Sequence, residues 1–363
     1  MIRAIAFVLG LAIAAAIVAS ITGEPTRATN LVVIVPPMVV TPPAIAPIIQ
    51  QPVPGPQTCP APAHDVHIDA LGDLPESVDR VHPSPSNAAW IAAWNDHHVF
   101  VSRDAGATFD RVLDGPGAVA DVGFDCFGRT IAVRGAAVGV HDGVDEAWHA
   151  VPGLIARDPE PDAPEIAAHV IDGGPDIAIV GVAVGAAYLS RIAASSDLGA
   201  TWRYRDLDRP YEAAVAHGRQ SADGTIRVAV SIADCDYAGL VWVTWRGDRY
   251  DTDRVEIAEA TTFGLYGDVA IDDGRWMSRG GAWHDIAGLA HDATPIEAPW
   301  PAVVADGTAY RIAKGRATAL PWCIDGTSPT IDTSGRVWMI RHGAPVVAHR
   351  DRACKPIKSP DGD

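Results

Sequence analysis

Histidine and aspartate pairs are the first residues in this sequence whose types and spacing could bind a metal ion. His64, His67 and Asp69 follow the spacing H-x-x-H-x-D, and His97 is adjacent to His98. Imidazole nitrogens and carboxylate oxygens are common zinc ligands, but a zinc site needs a further cluster beside them. Neither set has one, so we interpret the first as a solvated loop and the second as a turn, and we predict no metal ligands.

Two pairs of aspartates raise the same question for calcium. Asp234-x-Asp236 and Asp251-x-Asp253 each offer two carboxylates. A calcium loop of the EF-hand type also needs a central glycine and a distal glutamate, which both pairs lack. We interpret all four aspartates as turn residues.

Motifs that carry catalysis in other proteins are absent from the sequence. It contains no H-E-x-x-H, no P-loop, no G-x-S-x-G and no G-x-G-x-x-G. We therefore predict no catalytic residue, no cofactor-binding residue and no cofactor, and the sequence favours a protein that is not an enzyme.

The charged residues of this 363-residue chain are unevenly chosen. It has 36 Asp but only 9 Glu, and its net charge is −17. A protein that binds nucleic acid needs a basic surface, so this class of partner is excluded. Asp favours turns and Glu favours helices. With 34 Gly and 29 Pro, the composition indicates short strands joined by turns rather than helices.

The first 66 residues differ from the rest of the chain. Residues 4–21 are continuously apolar behind Arg3, which predicts that residues 1–23 are a cleaved signal peptide or a retained membrane anchor. Residues 24–66 are rich in proline, which cannot join a strand ladder and favours an extended linker. We expect export to the periplasm, the cell surface or the medium, with membrane contact only through an uncleaved N-terminal segment.

The pattern of residues in the body of the chain indicates strands and turns. Apolar runs of four to seven residues alternate with turn clusters, as in 90–102, 130–143, 226–245 and 336–349. This pattern predicts β-hairpins, and many short strands in sequence favour a sandwich, a barrel or a propeller.

A repeated segment decides among these folds. Two stretches share the pattern S-x-D-x-G-A-T-aromatic, in which Gly permits a positive φ and the Asp and hydroxyl oxygens accept bonds from turn amides. The aromatic residue then enters the next strand and packs in the core. The first stretch contains Ser102, Asp104, Gly106, Thr108 and Phe109, and the second contains Ser195, Asp197, Gly199, Thr201 and Trp202.

This pattern resembles the Asp-box, or BNR, repeat of sialidase-like β-propellers, and similar boxes occur in sortilin-type and photosystem-assembly-type propellers. The resemblance implies an all-β propeller in which the boxes are structural turns. Aromatic residues at the ends of boxes or of equivalent turns have a mean spacing of 43.5 residues, close to one four-stranded blade. These residues are Phe109, Trp148, Trp202, Tyr250 and Trp283.

We expect the propeller to span residues 67–356, with six or seven four-stranded blades, seven being favoured, and a disordered tail at 357–363. Segment 301–322 then forms a reduced blade, and segment 64–82 pairs with the last blade to close the ring, which removes exposed sheet edges.

The resemblance also raises a sialidase hypothesis. That family uses three arginines, a Tyr–Glu pair and an acid Asp, and its first arginine lies in an R-I-P motif ahead of the boxes. A similar string here, Tyr310-Arg311-Ile312-Ala313, lacks the proline and follows both boxes, so no catalytic residue can be carried over.

Five cysteines leave one without a partner in the chain. Cys59 and Cys354 flank the expected propeller, and a disulfide between them would join the ends of the ring. Cys323–Cys354, within the last blade, is the competing pair.

The sequence favours an exported, non-catalytic propeller that binds an unknown protein or glycan, or acts as a scaffold. Two alternatives stay open. One is a sialidase-like glycoside hydrolase with a divergent site, and the other is an envelope assembly factor.

Overall fold

Short apolar runs separated by turn residues form strands throughout the computed structural model. The structure describes residues 58–61, 63, 71–115, 117–152, 154, 166–183, 190–207, 212–234, 237–256, 263–266, 268–272, 274–289 and 293–348, which contain strands and no helix. Within these residues no helix is long and apolar enough to cross a membrane. The predictions for residues 1–23, for nearly all of the linker and for 357–363 fall outside them.

The strands form seven antiparallel sheets, six with four strands and the last with three. The first three blades contain β1 Arg80–Pro83, β2 Ile91–Trp94, β3 Val99–Ser102 and β4 Asp110–Val112; β5 Asp121–Phe124, β6 Thr130–Arg134, β7 Ala137–His141 and β8 Glu146–Ala150; and β9 Ile166–Val170, β10 Ile177–Ala183, β11 Arg191–Ser195 and β12 Arg203–Asp206. The fourth and fifth contain β13 Glu212–Gln220, β14 Ile226–Asp234, β15 Tyr237–Arg246 and β16 Arg249–Glu256; and β17 Phe263–Tyr266, β18 Val269–Asp272, β19 Arg275–Ser278 and β20 His284–Asp285. The last two contain β21 Thr294–Pro295, β22 Ala302–Ala305, β23 Thr308–Ala313 and β24 Arg316–Cys323; and β25 Thr327–Ile331, β26 Val337–Arg341 and β27 Ala344–Val347.

This arrangement confirms the predicted seven-bladed propeller. The five aromatic marks each lie in or directly before the fourth strand of one of the first five blades, which is why their spacing counted blades correctly. The segment expected to be a reduced blade supplies three strands of the sixth blade, whose first strand, β21, has two residues.

The middle strands of a blade carry the core. All four residues of β2 are buried, whereas β8 on the outside has no fully buried residue. A middle strand is covered on both faces by neighbouring blades, so it needs a continuous apolar run.

The first strands of the blades line the central channel and run parallel to one another. Parallel bridges link Asp172 to Arg219 and Glu297 to Thr330. Consequently, every turn between first and second strands, and between third and fourth strands, lies at one end of the ring. We call this end the Asp face, defined by the turns at Asp104, Asp125, Asp197 and Asp332. The opposite end is the link face, defined by turn 95–98 and link 113–120.

The two S-x-D-x-G-A-T segments form the same turn in the first and third blades. Ser102 Oγ accepts a hydrogen bond from Gly106 N at 2.7 Å and donates to Asp104 Oδ1 at 2.8 Å. Asp104 then accepts bonds from the amide and hydroxyl of Thr108, at 2.9 and 2.7 Å. Burial by itself would raise the pKa of the Asp104 carboxyl, but the bonds from Thr108 and Ser102 together outweigh it and lower this pKa.

The turn in the third blade repeats these bonds. Gly199 N donates to Ser195 Oγ at 2.7 Å, and the Thr201 amide and hydroxyl donate to Asp197 at 2.8 and 2.6 Å. Leu198 and Gly199 have φ of +61° and +92°, which match Ala105 and Gly106 in the first turn. All the polar groups of the motif are used within the turn itself.

A second repeated turn connects neighbouring blades. In the second blade, buried Asp125 pairs with Arg129, whose Nη2 donates to the carbonyl of Pro175 in the third blade at 3.0 Å. In the seventh blade, buried Asp332 pairs with Arg336, whose Nη2 donates to the Ala88 carbonyl of the first blade at 2.9 Å. These D-x-x-G-R turns fasten one blade to the next.

The joint between the seventh and first blades differs from the expected pairing of segment 64–82. Residues 80–82 belong to β1 of the first blade, and the described residues before them form no strand with the last sheet. Instead, Leu71 and Leu74 pack into the cluster that contains Trp338 and Phe100. Val78 N also donates to Gly343 O at 2.8 Å. Side-chain packing beside a three-stranded blade closes the ring.

The expected disulfide between Cys59 and Cys354 is wrong, because Cys59 is bonded to Cys126. Cys126 lies in the D-x-x-G-R turn of the second blade, and its amide donates to Gly174 O at 2.9 Å. Cys59, near the end of the linker, is therefore attached to the Asp face at the second blade. Cys323 is also disulfide-bonded, whereas Cys235 and Cys354 fall outside the described residues.

Replacing Ser102 with Ala tests the turn motif. The fully buried Ser102 Oγ accepts a hydrogen bond from Gly106 N and donates one to Asp104. Its loss leaves the buried Gly106 amide without a partner. We expect Ser102→Ala to lower the free energy of unfolding by about 1–3 kcal/mol, measured by urea denaturation. Ser77→Ala, at an exposed serine, is the control, and equal midpoints for the two variants would contradict the role of the turn.

Replacing Arg336 with Met tests ring closure. The change leaves the buried Asp332 carboxylate without its cation and removes the bond to the first blade. We expect a loss of about 3–5 kcal/mol, against little change for Arg316→Met at an exposed arginine. Adding Asp332→Asn to the first variant should recover part of the loss, and a double variant as unstable as the single one would argue against the buried charge as its cause.

Candidate functional site

Three ionisable side chains from different blades meet inside the channel near its Asp face. They are His82 in β1 of the first blade, Asp172 directly after the first strand of the third blade, and Glu297 after the first strand of the sixth. Their ligand-type atoms lie within 4.8 Å of one another. We call these three residues the channel triad.

Strand alternation places His82 in the channel. Val81 points between the blades into the apolar cluster with Ile91 and Phe100, so the next residue must point the other way, toward the axis. The His82 ring is 5% exposed. Its Nδ1 lies 2.9 Å from Glu297 Oε2 and its Nε2 lies 3.1 Å from Asp172 Oδ2. A single imidazole thus bridges two carboxylates from other blades.

The I-D-G-G turn holds Asp172 in place. Its Oδ1 accepts a hydrogen bond from Phe124 N in the second blade at 2.7 Å, which leaves Oδ2 for His82. Gly123 makes room for this carboxylate, because a Cβ at that position would lie 2.1 Å from Asp172 Oδ1. The second blade therefore needs a glycine at position 123, because the Asp172 carboxylate of the third blade packs against it.

The backbone of Glu297 is fastened to the seventh blade. Its carbonyl accepts bonds from Ile331 N at 2.8 Å and from Thr330 Oγ1 at 3.2 Å. Its side chain is half exposed, unlike those of His82 and Asp172. Glu297 is therefore the member of the triad that borders the opening of the channel.

The charges of the triad shift the pKa values of its members. Burial by itself would lower the pKa of the His82 imidazole, but the charges of Glu297 and Asp172 outweigh it and raise this pKa well above 6.5. Burial raises the pKa of the Asp172 carboxyl, and the charge of His82 offsets part of this effect. The buried cluster therefore favours the form in which the imidazole carries a proton.

Two further residues surround the triad. Arg219 Nη2 donates to the Ala298 carbonyl beside Glu297, and the buried Tyr266 hydroxyl donates to the Ala302 carbonyl at 2.7 Å. Burial raises the pKa of Tyr266, so this phenol stays protonated. Both groups hold the backbone around Glu297 and present no reactive atom.

The space beside the triad is small. The cavity that His82, Asp172, Glu297, Arg219 and Thr330 line has a volume of about 10 Å³, which is room for one water or one ion. An organic substrate does not fit there. Among the described residues that line it, Arg219 is the single arginine, so the three-arginine cluster of a sialidase is not assembled at this site.

Two larger grooves open on the link face, on either side of the first blade. One, of about 760 Å³, lies against the seventh blade and includes Asp79, Asp325 and Arg341. The other, of about 560 Å³, lies against the second blade and includes His97, His98, Arg111, Asp114 and Arg134.

Arg134 forms the floor of the second groove. Its Nη2 donates to His97 O, and its Nη1 donates to Gly115 O at 2.8 Å and to Gly117 O. Asp114 is the acid whose charge acts on Arg134, and it forms an ion pair with Arg111 at 2.8 Å. The guanidinium holds the link between the blades and leaves positive charge beneath the groove.

The residues considered from sequence lie elsewhere. His64, His67, Asp69 and Asp236 fall outside the described residues, and Asp234 ends β14. His97 and His98 lie in the turn between β2 and β3, as predicted. Asp251 and Asp253 were expected in a turn but lie in β16, where Asp253 is 3.5 Å from Arg279 Nε.

Sequence reasoning missed the channel triad. Its members are separated by 90 and 125 residues along the chain, and each sits in an unremarkable local context. One signal in the sequence could have found them. Each is an ionisable residue that lies in, or shortly after, the predicted first strand of a blade, and the first strands of a propeller surround the channel.

Comparisons with known proteins agree on the fold. No family model matches the chain, and no curated protein matches its sequence. Among solved structures, BBS1N in complex with ARL6DN has a TM-score of 0.50 at 13% identity, covering 80% of this chain and 99% of that one. An auxiliary nutrient binding protein from Bacteroides ovatus has a TM-score of 0.41 at 11% identity, covering 75% and 70%. An ancestral GH74 enzyme has a TM-score of 0.37 at 12% identity, covering 75% of this chain and 51% of that one.

The pKa of His82 predicts how stability depends on pH. A raised folded-state pKa means that the ion pairs contribute fully below pH 6.5 and that this contribution is lost as the pH rises through the raised value. With a chelator present, we expect the urea concentration at the midpoint of unfolding to fall as the pH rises through the raised pKa of His82. His82→Gln should show a smaller fall, and identical pH profiles for the two proteins would contradict the assignment.

Proposed function

We propose that this chain is an exported, non-catalytic β-propeller that binds a protein or other macromolecule on its link face. The observation that carries the proposal is the contrast between the two ends of the ring. Paired side chains fill the channel and leave space for about one water, whereas two grooves of about 760 and 560 Å³ flank the first blade at the other end.

The Asp-face turns support a structural role for that end. The polar groups of both S-x-D-x-G-A-T turns bond to their own backbone, and the D-x-x-G-R turns bond to the next blade. We take the former to be Asp boxes of the sialidase-like type. Groups that are satisfied within the fold are not available to recognise a ligand.

Export rests on two features. The N-terminal apolar segment has the pattern of an export signal, and disulfides such as Cys59–Cys126 persist in oxidising compartments outside the cytosol. Since the disulfide holds Cys59 at the Asp face, a tether through the N-terminus would join the ring at the end opposite the link face.

The chemistry of the grooves favours a polar partner surface. Arg134 places one positive charge beneath the second groove, where Arg111 is paired with Asp114, within a chain of net charge −17, and local charge steers a complementary partner. The described residues have few exposed large apolar side chains, Val144 and Leu198, and neither lines a groove. BBS1N, which shares the fold, was crystallised with a protein partner, and this supports the proposal at the level of the fold alone.

A matched pair of variants tests which face binds. Ala118→Glu places an acid in the second groove on the link face, and Val144→Glu places one in an exposed turn on the Asp face. Quantitative pull-down from an envelope extract should recover a saturable partner with the wild-type chain and with Val144→Glu. We expect about tenfold weaker recovery with Ala118→Glu, the effect of losing about 1.4 kcal/mol.

The same experiment can refute the proposal. Equal recovery by both variants would remove the groove as the binding surface. If the wild-type chain recovers no saturable partner, the binding function itself fails. Circular dichroism of both variants, unchanged from wild type, is the control for folding.

A further inference from the structure

We propose that the channel triad binds a divalent metal ion of the zinc or manganese class. This site is separate from the grooves on the link face, so the inference does not depend on the proposed function. It rests on the positions of His82, Asp172 and Glu297 and on the cavity beside them.

The ligand types and their spacing fit such an ion. One imidazole nitrogen and two carboxylate oxygens lie within 4.8 Å of one another. Ligand bonds of about 2.0–2.2 Å place the donor atoms of a tetrahedral ion about 3.4 Å apart. The half-exposed side chain of Glu297 can close the remaining difference, roughly 1 Å, by rotating, while the buried His82 and Asp172 stay in place.

A buried nitrogen of the triad also indicates a cation. His82 Nε2 is buried and makes no hydrogen bond, although it faces Asp172. A metal binds only a neutral imidazole, so an ion at this nitrogen would displace the proton that His82 carries in the metal-free protein. A divalent ion in the adjacent 10 Å³ cavity would give Nε2 its partner.

The mixed donor set selects among metals. Calcium takes six to eight oxygen ligands, more than this cavity can supply. An imidazole with two carboxylates suits zinc, manganese or ferrous iron. An ion bound there would join the first, third and sixth blades across the axis, and because it binds only the folded chain it would stabilise the closed ring.

The test starts from the full chain after chelator treatment and desalting. One equivalent of Zn²⁺ or Mn²⁺ should be retained after gel filtration, measured by inductively coupled plasma mass spectrometry. At a metal concentration near 100 times Kd, the melting temperature should rise by roughly 5 °C. Ca²⁺ at the same concentration should be removed by gel filtration and should leave the melting temperature unchanged.

A matched control separates this site from any other histidine–glutamate pair. Glu297→Gln removes one ligand at the half-exposed position, where the protein should still fold, and is expected to lower metal affinity at least tenfold. Glu76→Gln alters the pair in which Glu76 Oε2 lies 2.5 Å from His98 Nδ1, on the link face, and should retain the metal as wild type does.

Several results would overturn the inference. They are the absence of retained metal in the wild-type chain, equal retention by Glu297→Gln, and loss of retention by Glu76→Gln. A spectroscopic readout does not depend on the variants. One equivalent of Co²⁺ should give visible absorption from an ordered nitrogen and oxygen site, and a spectrum equal to that of aqueous Co²⁺ would also reject the site.

Discussion

Each blade of this propeller must bury both faces of its sheet against a neighbour, and the structure depends on that constraint. The fully apolar middle strands, such as β2, are stable only when blades stand on either side of them. A row of blades would expose two such faces at its ends, so the ring has to close. The weakest place is where the three-stranded seventh blade meets the first.

Closure at this joint uses several contacts other than strand pairing. Leu71 and Leu74 add apolar surface to the cluster around Trp338, and Arg336 reaches from a buried ion pair to the Ala88 carbonyl. Ser328 Oγ adds a bond to Asp79 O at 3.1 Å. The segment before the first blade thus adds packing at this joint to the contacts between the two blades.

The same closure creates the electrostatic problem in the channel. Parallel first strands bring side chains from different blades toward one axis, and the channel triad and Arg219 place four ionisable side chains around one small cavity. Since the channel is too narrow for bulk water, their charges must compensate one another or bind a cation. The channel is therefore filled, and the surface open to a partner lies on the link face. The Cys59–Cys126 disulfide fixes Cys59 at the opposite end of the ring.

The sequence by itself determined the local features and the number of blades. The bonds of Ser102, Asp104 and Thr108 span at most four residues, so the turn is encoded wherever that motif occurs, and the regular aromatic spacing reports the repeat. The channel triad, the disulfide partner of Cys59 and the packing of Leu71 were not predictable in this way. They join residues that are 67 to more than 200 positions apart, and no local pattern distinguishes Cys126 from Cys354 as a partner. Only the closed ring decides which side chains share the axis and which cysteines meet, because it alone fixes the distance between blades that are remote in the chain.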